Sequence, residues 1–211
     1  MTTHTYTKQE EIAHAITHGI GALLSIAGLV LLIVYASLSG GPWQIVSGTI
    51  FGVTMLLMYL TSTIVHSLPE GKYKDVFQIF DHSSIYLFIA GTYTPLLLVL
   101  LRNEIGWILF STVWGIAICG IVFKIFFVKK FLMLSTLFYI AMGWLVVFVW
   151  NPLTATMHED GILLLIIGGL FYTVGAIFYV WRSFPYHHAV WHLFVIAGSA
   201  FHFFSIFYYV I

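Results

Sequence analysis

Charge is what this 211-residue chain has least of: Asp, Glu, Lys and Arg together make up 8% of it, against 61% hydrophobic and 18% aromatic residues. With a mean hydropathy of +1.01, that scarcity excludes a soluble globular domain and defines an integral membrane protein. Eight basic and eight acidic residues cancel, so the net charge offers no argument for a nucleic-acid partner and none is expected. Cysteine is nearly absent: Cys119 alone cannot form an intrachain disulfide, and in its apolar stretch it reads as a small core residue. The chain also lacks internal repeats, low-complexity tracts and coiled-coil heptads. The polar residues 1–13 have neither a basic n-region nor a small-residue cleavage site downstream, so the first apolar stretch reads as a retained helix.

Seven apolar stretches are present, near 14–36, 43–65, 78–101, 107–127, 132–150, 161–181 and 187–211. Each suits a bilayer that takes about 20 residues per helical span. Turn residues separate them at Gly40-Gly41-Pro42, Pro69-Glu70-Gly71, Asn151-Pro152 and Phe184-Pro185. The expectation is an all-α membrane protein: a cytoplasmic segment 1–13 and one seven-helix domain over 14–211, multi-pass in a bacterial plasma membrane. Gly168-Gly169 and Gly115 with Gly120 are expected to permit close helix packing.

Lys8, Lys72, Lys74, Lys124, Lys129, Lys130 and Arg182 fall on one side of this arrangement and only Arg102 on the other. By the positive-inside rule the amino terminus is cytoplasmic and the carboxyl terminus external, opposite to a G-protein-coupled receptor.

Against so apolar a background, intramembrane polar groups mark where chemistry happens. Ser62-x-x-x-His66 ends the second stretch, Asp81 opens the third and His188-x-x-x-His192 opens the seventh. With Asp75 as the expected helix cap, Asp81 sits on the order of 9 Å into its helix. Pro185 is expected in the first turn of the last helix. All five residues then lie at similar depth on the cytoplasmic side. Residues four apart share a helix face, so His188 and His192 can grip one ion, with His66 as third ligand. Three imidazoles suit zinc, which takes nitrogen at roughly 2.0–2.1 Å and, in catalytic sites, keeps its fourth position for water. Ser62 is placed to hydrogen-bond that water or a substrate carbonyl, and Asp81 to orient or deprotonate the water. His202 lies about 15 Å deeper and is expected outside the site. His187 points about 100° off the ligand face, and His158 belongs to an external loop.

These motifs, with Asp81-His-Ser-Ser-Ile and Gly91-Thr-Tyr-Thr-Pro95, carry a resemblance that covers essentially the whole chain. The sequence resembles the bacterial haemolysin III branch of the progestin and adiponectin receptor superfamily. The resemblance implies a seven-helix fold with a cytoplasmic-side zinc on His66, His188 and His192, and Ser62 and Asp81 nearby. The amino-terminal Glu11-Ile-Ala-His14-Ala-Ile-Thr-His18-Gly is also similar to the family's, except that members commonly carry Asn where this chain has His14. His14 is therefore not counted as a ligand.

For activity, the resemblance implies hydrolysis of a lipid amide, as in the similar alkaline ceramidases. Zinc would activate water and carbonyl, Ser62 would steady the developing oxyanion, and Asp81 would act as base and then acid. Membrane lipids are the expected partners. The competing expectation is a non-enzymatic sensor or regulator of membrane homeostasis in which zinc pins helices together, closed by a fourth protein ligand for which Asp81 is the candidate. An oligomeric cytolytic pore ranks below both, because no segment carries a continuous charged or amphipathic stripe.

Overall fold

In lipid, a backbone must satisfy its polar groups within the chain, and every apolar stretch does so as helix. The computed structural model describes residues 6–211. Residues 1–5 of the expected segment 1–13 lie outside the described residues. Among the described residues, seven spans are long and apolar enough to cross a membrane, made by α1 (Lys8–Ser39), α2 (Pro42–Ser67), α3 (Lys72–Pro95), α4 (Glu104–Phe127), α5 (Leu132–Gly143) continuing through α6 (Trp150–Thr156), α7 (Glu159–Val180) and α8 (His187–Tyr209).

The ends differ from the sequence reading in ways that matter for function. α1 begins six residues before the expected 14, because Thr7 and Glu10 close a capping box: the Glu10 backbone N–H donates to Thr7 Oγ1 at 3.3 Å and the Thr7 N–H donates to Glu10 Oε2 at 2.8 Å. The added turns carry Glu10 and Glu11 into the bundle beside His14. α3 starts at Lys72 after Gly71, whose φ of 151° favours glycine. Asp75 is therefore not the cap but a first-turn residue, paired to Lys129 at 2.5 Å. Pro185 lies outside α8, which starts at His187 after Tyr186 in a left-handed conformation (φ 59°). The fifth span runs on to Thr156 through a tighter stretch at Trp144–Val149.

α1 packs against α2 and α8, α2 against α3, α3 against α4, and α7 against α8. α3 is the most enclosed span. Gly91 lets α3 approach α2, since a Cβ there would collide with Thr54, and Gly168 similarly receives the His202 ring. Gly120 receives Tyr86, whereas Gly115 and Gly169 face open space, so the packing role expected of those two fails.

α4 turns Val113, Ala117, Gly120 and Lys124 inward, one stripe at helical spacing. Two expectations are corrected by that stripe. Cys119 lies off it and is exposed on the outer face rather than in the core. Lys124, counted among the basic residues that set the orientation, is wholly buried, with Nζ 5.9 Å from the Tyr139 ring centroid and Asp81 within electrostatic reach.

Candidate metal centre

Histidines from three helices meet at one end of the bundle. α2 brings His66 in its last turn, α8 brings His188 and His192 in its first two, and α1, lengthened by its capping box, brings His14 and His18. One nitrogen from each of His66, His188 and His192 lies within 4.8 Å of the others, close enough for a shared ion. Glu11, His14 and His66 form a second group of the same spacing. Asp81 stands outside both groups among the described residues.

Hydrogen bonds select the nitrogens that are free to bind. Glu11 Oε2 accepts from His66 Nδ1–H at 2.6 Å, leaving the His66 Nε2 lone pair. Thr17 gives its hydroxyl proton to the Ala13 or His14 carbonyl and so accepts from His192 Nδ1–H at 2.9 Å, leaving Nε2 there as well. His188 Nδ1 is buried without a hydrogen-bond partner. Neutral imidazoles oriented by a carboxylate or hydroxyl on the far nitrogen are the usual partners of zinc. The donor set therefore fits zinc. Glu11 is held in turn by Lys74 at 2.6 Å, and Lys74 also pairs with Glu70 at 2.9 Å.

Tyr6 covers the outer side of the cluster, its ring 4.7 Å from His14 and 5.4 Å from His188. Burial pushes its phenol up to about 12, so it remains neutral at physiological pH. The loop before α8 is tied to the same end by the Tyr186 N–H, which donates to Glu10 Oε1 at 3.0 Å.

On the inner side a cavity of about 180 Å³ runs into the bundle. Ser62, Asp81, His18, His188 and His192 line its histidine end, and Phe88, Ile89, Leu96, Leu153 and Leu165 are among the apolar residues farther in. Ser62 Oγ is 2.7 Å from His18 Nδ1 and also faces Asp81. His18 stacks flat on His192, with centroids 3.4 Å apart. Thr136, Ile140, Thr173 and Ala176 line both this cavity and a shallower hollow between α5 and α7, so only a thin wall separates the cavity from the bundle's outer surface.

The five residues selected from sequence thus sit at one end of the bundle, the three histidines in one group and Ser62 with Asp81 at the cavity beside them. His202 lies deeper in the cavity wall, with Nε2 3.1 Å from the Leu165 carbonyl oxygen, outside the metal-spaced groups. His187 is buried, with Nδ1 3.1 Å from the Phe178 oxygen, and His158 caps α7. Sequence reasoning passed over Glu11, Thr17 and His18. The Thr7-x-x-Glu10 capping-box pattern was the available signal that α1 begins early enough to include Glu11, whereas Thr17 and His18 already lie within the expected stretch without an assigned role.

This is a multi-pass, all-helical membrane protein with a buried histidine centre at one end and an apolar cavity leading from it. The chain belongs to the haemolysin-III related family, whose model matches residues 6–203. It is 55% identical over 204 residues to the hemolysin-3 homolog of Bacillus subtilis (strain 168), covering 97% of this chain and 96% of that one. It is 52% identical over 211 residues to hemolysin-3 of Bacillus cereus, covering 100% and 96%. It is 29% identical over 207 residues to the human monocyte to macrophage differentiation factor, covering 93% and 83%. The bacterial relatives and the seven spans make it a multi-pass bacterial membrane protein.

Proposed function

We propose that the protein is a zinc-dependent hydrolase of a lipid amide, working from the cytoplasmic side of the membrane. The observation that carries this reading is the cavity, whose wall is apolar in its depth while Ser62, Asp81 and the histidines gather at one end. An acyl chain suits the apolar part and would bring its amide to the polar end, and the thin wall between α5 and α7 offers a route from the bilayer. His66, His188 and His192 hold the metal. Bound there, zinc polarises a carbonyl and lowers the pKa of water. Asp81 accepts the proton from the attacking water and returns it to the leaving amine. Ser62, steadied by His18, donates to the carbonyl oxygen as negative charge develops.

The second reading is a membrane-state sensor in which the metal staples helices. It is favoured by the ligands' origin on separate helices, α2 and α8, with α1 tied to both ligand helices by Glu11–His66 and Thr17–His192.

Lipid mass spectrometry separates the two. Bacterial membrane lipids and a ceramide are incubated with the purified zinc-loaded protein and, in parallel, with His188→Ala. Matched loss of one lipid and gain of its free fatty acid, in the wild type only, is the expected result. Identical lipid profiles for both proteins would overturn the hydrolase and leave the sensor.

A further inference from the structure

His14 is wholly buried, and among the described residues neither of its ring nitrogens has a hydrogen-bond partner. The nearest acid is Glu11, with Oε2 3.9 Å from His14 Nδ1, beyond hydrogen-bond length. Leaving an imidazole unsatisfied in a membrane interior is costly, and a buried polar side chain without a partner calls for an explanation.

Its position supplies one. The His14 ring centroid lies 4.8 Å from that of His66, 4.9 Å from His188 and 5.5 Å from His192. The other three separations are 5.2 Å for His66 to His188, 5.4 Å for His66 to His192 and 4.6 Å for His188 to His192. Six similar edges make a near-regular tetrahedron. Four imidazoles that share one ion tetrahedrally at about 2.0–2.1 Å have ring centroids about 5 Å apart.

We propose that His14 is the fourth ligand of the metal centre, so that the resting site is closed by four imidazoles. The proposal rests on the metal reading above, and holds whether the centre serves catalysis or stapling. The competing use of His14, in a separate site with Glu11 and His66, is disfavoured by the occupants of Glu11. Its carboxylate already takes the His66 N–H and the Lys74 ammonium, each at 2.6 Å, and a second cation would face that ammonium directly. As placed, His14 shares metal spacing with Glu11 and His66 and not with His188 and His192, but because no hydrogen bond fixes its ring, it can turn toward its three neighbours. Water then gains a place on the metal only when His14 withdraws, which makes α1 the element that decides whether the centre is open.

The test uses the full-length protein in lipid nanodiscs, loaded with Co2+ as a coloured stand-in for zinc, and azide as a small competing ligand. Expected are one metal per chain, a four-coordinate visible spectrum and no change on adding azide. In His14→Asn the metal stays, azide shifts the spectrum, and zinc affinity measured against a chelator falls at least about tenfold, the lower end of what losing even an outer-shell partner costs. An azide shift in the wild type as large as in the variant would overturn the proposal, and this arm needs no variant to fold. Two metals per chain would overturn it in favour of a separate Glu11 site. Failure of the metal reading itself looks different, with full metal content in His192→Ala or no metal uptake by the wild type.

Discussion

Two contacts, one from a carboxylate and one from a hydroxyl, decide which nitrogen His66 and His192 present to the cluster. Glu11 bonds His66 Nδ1 and Thr17 bonds His192 Nδ1, so both rings present Nε2. Replacing Glu11 with Gln removes the charge but keeps the size, and zinc affinity should fall roughly 10- to 100-fold, the range for outer-shell partners. Competition with a chelator measures it, and an unchanged affinity would exclude Glu11 from holding the site. By contrast His202→Ala should leave metal content at the wild-type level, because that ring bonds Leu165 deeper in the cavity wall. Elemental analysis of the purified variant decides, and metal loss there would redraw the site. Spacing made His66, His188 and His192 legible in the sequence. Glu11 and Thr17 were not, because their importance comes from which helices α1 lies against, and no local pattern states that.

Among the elements, α1 shows how a boundary error hides function. Hydropathy drew its start near residue 14 because Glu10 and Glu11 look like solvent residues, yet Thr7 caps a helix that starts six residues earlier, at Lys8. Thr7→Ala removes one half of the capping box and should destabilise this end by about 1 kcal/mol. Hydrogen exchange of the amides from Lys8 to Glu11 should quicken while those of α4 stay unchanged. Equal protection in both proteins would show that the cap does not set the helix start. The number of spans was legible from apolar length, since a bilayer imposes that length on any sequence, but α3 also starts six residues before the expected 78 and the fifth span runs six past the expected 150. Their ends depend on backbone conformations at Gly71 and Tyr186 that hydropathy does not encode.

For the whole molecule, the expectation from the positive-inside rule is that the histidine end, with Lys72, Lys74 and Lys129, faces the cytoplasm. Lys124 no longer counts toward that bias because it is buried, but the remaining basic residues preserve it. Since Cys119 lies exposed on the outer face of α4, a Cys119→Ser background is needed before single cysteines are introduced. In that background Lys129→Cys should react with a membrane-impermeant maleimide only after cells are opened, and Ile211→Cys in intact spheroplasts. The reverse pattern would invert the topology and put the centre outside.

The buried Lys124 also bears on how the bundle is assembled. Three residues from the end of α4, a lysine on an isolated helix in a bilayer would reach for the headgroups. In the finished fold it is instead withdrawn beside Tyr139 of α5 and within the field of Asp81 on α3. Docking of α4 is therefore expected to follow that of its neighbours, and Asp81, which acts on Lys124 through space and not as an ion pair, is expected to favour it. An Asp81→Asn protein consequently loses an anchor for α4 as well as a carboxylate at the cavity. Its thermal stability should drop alongside any activity, whereas Ser62→Ala, which leaves both Asp81 and Lys124 intact, should spare that docking.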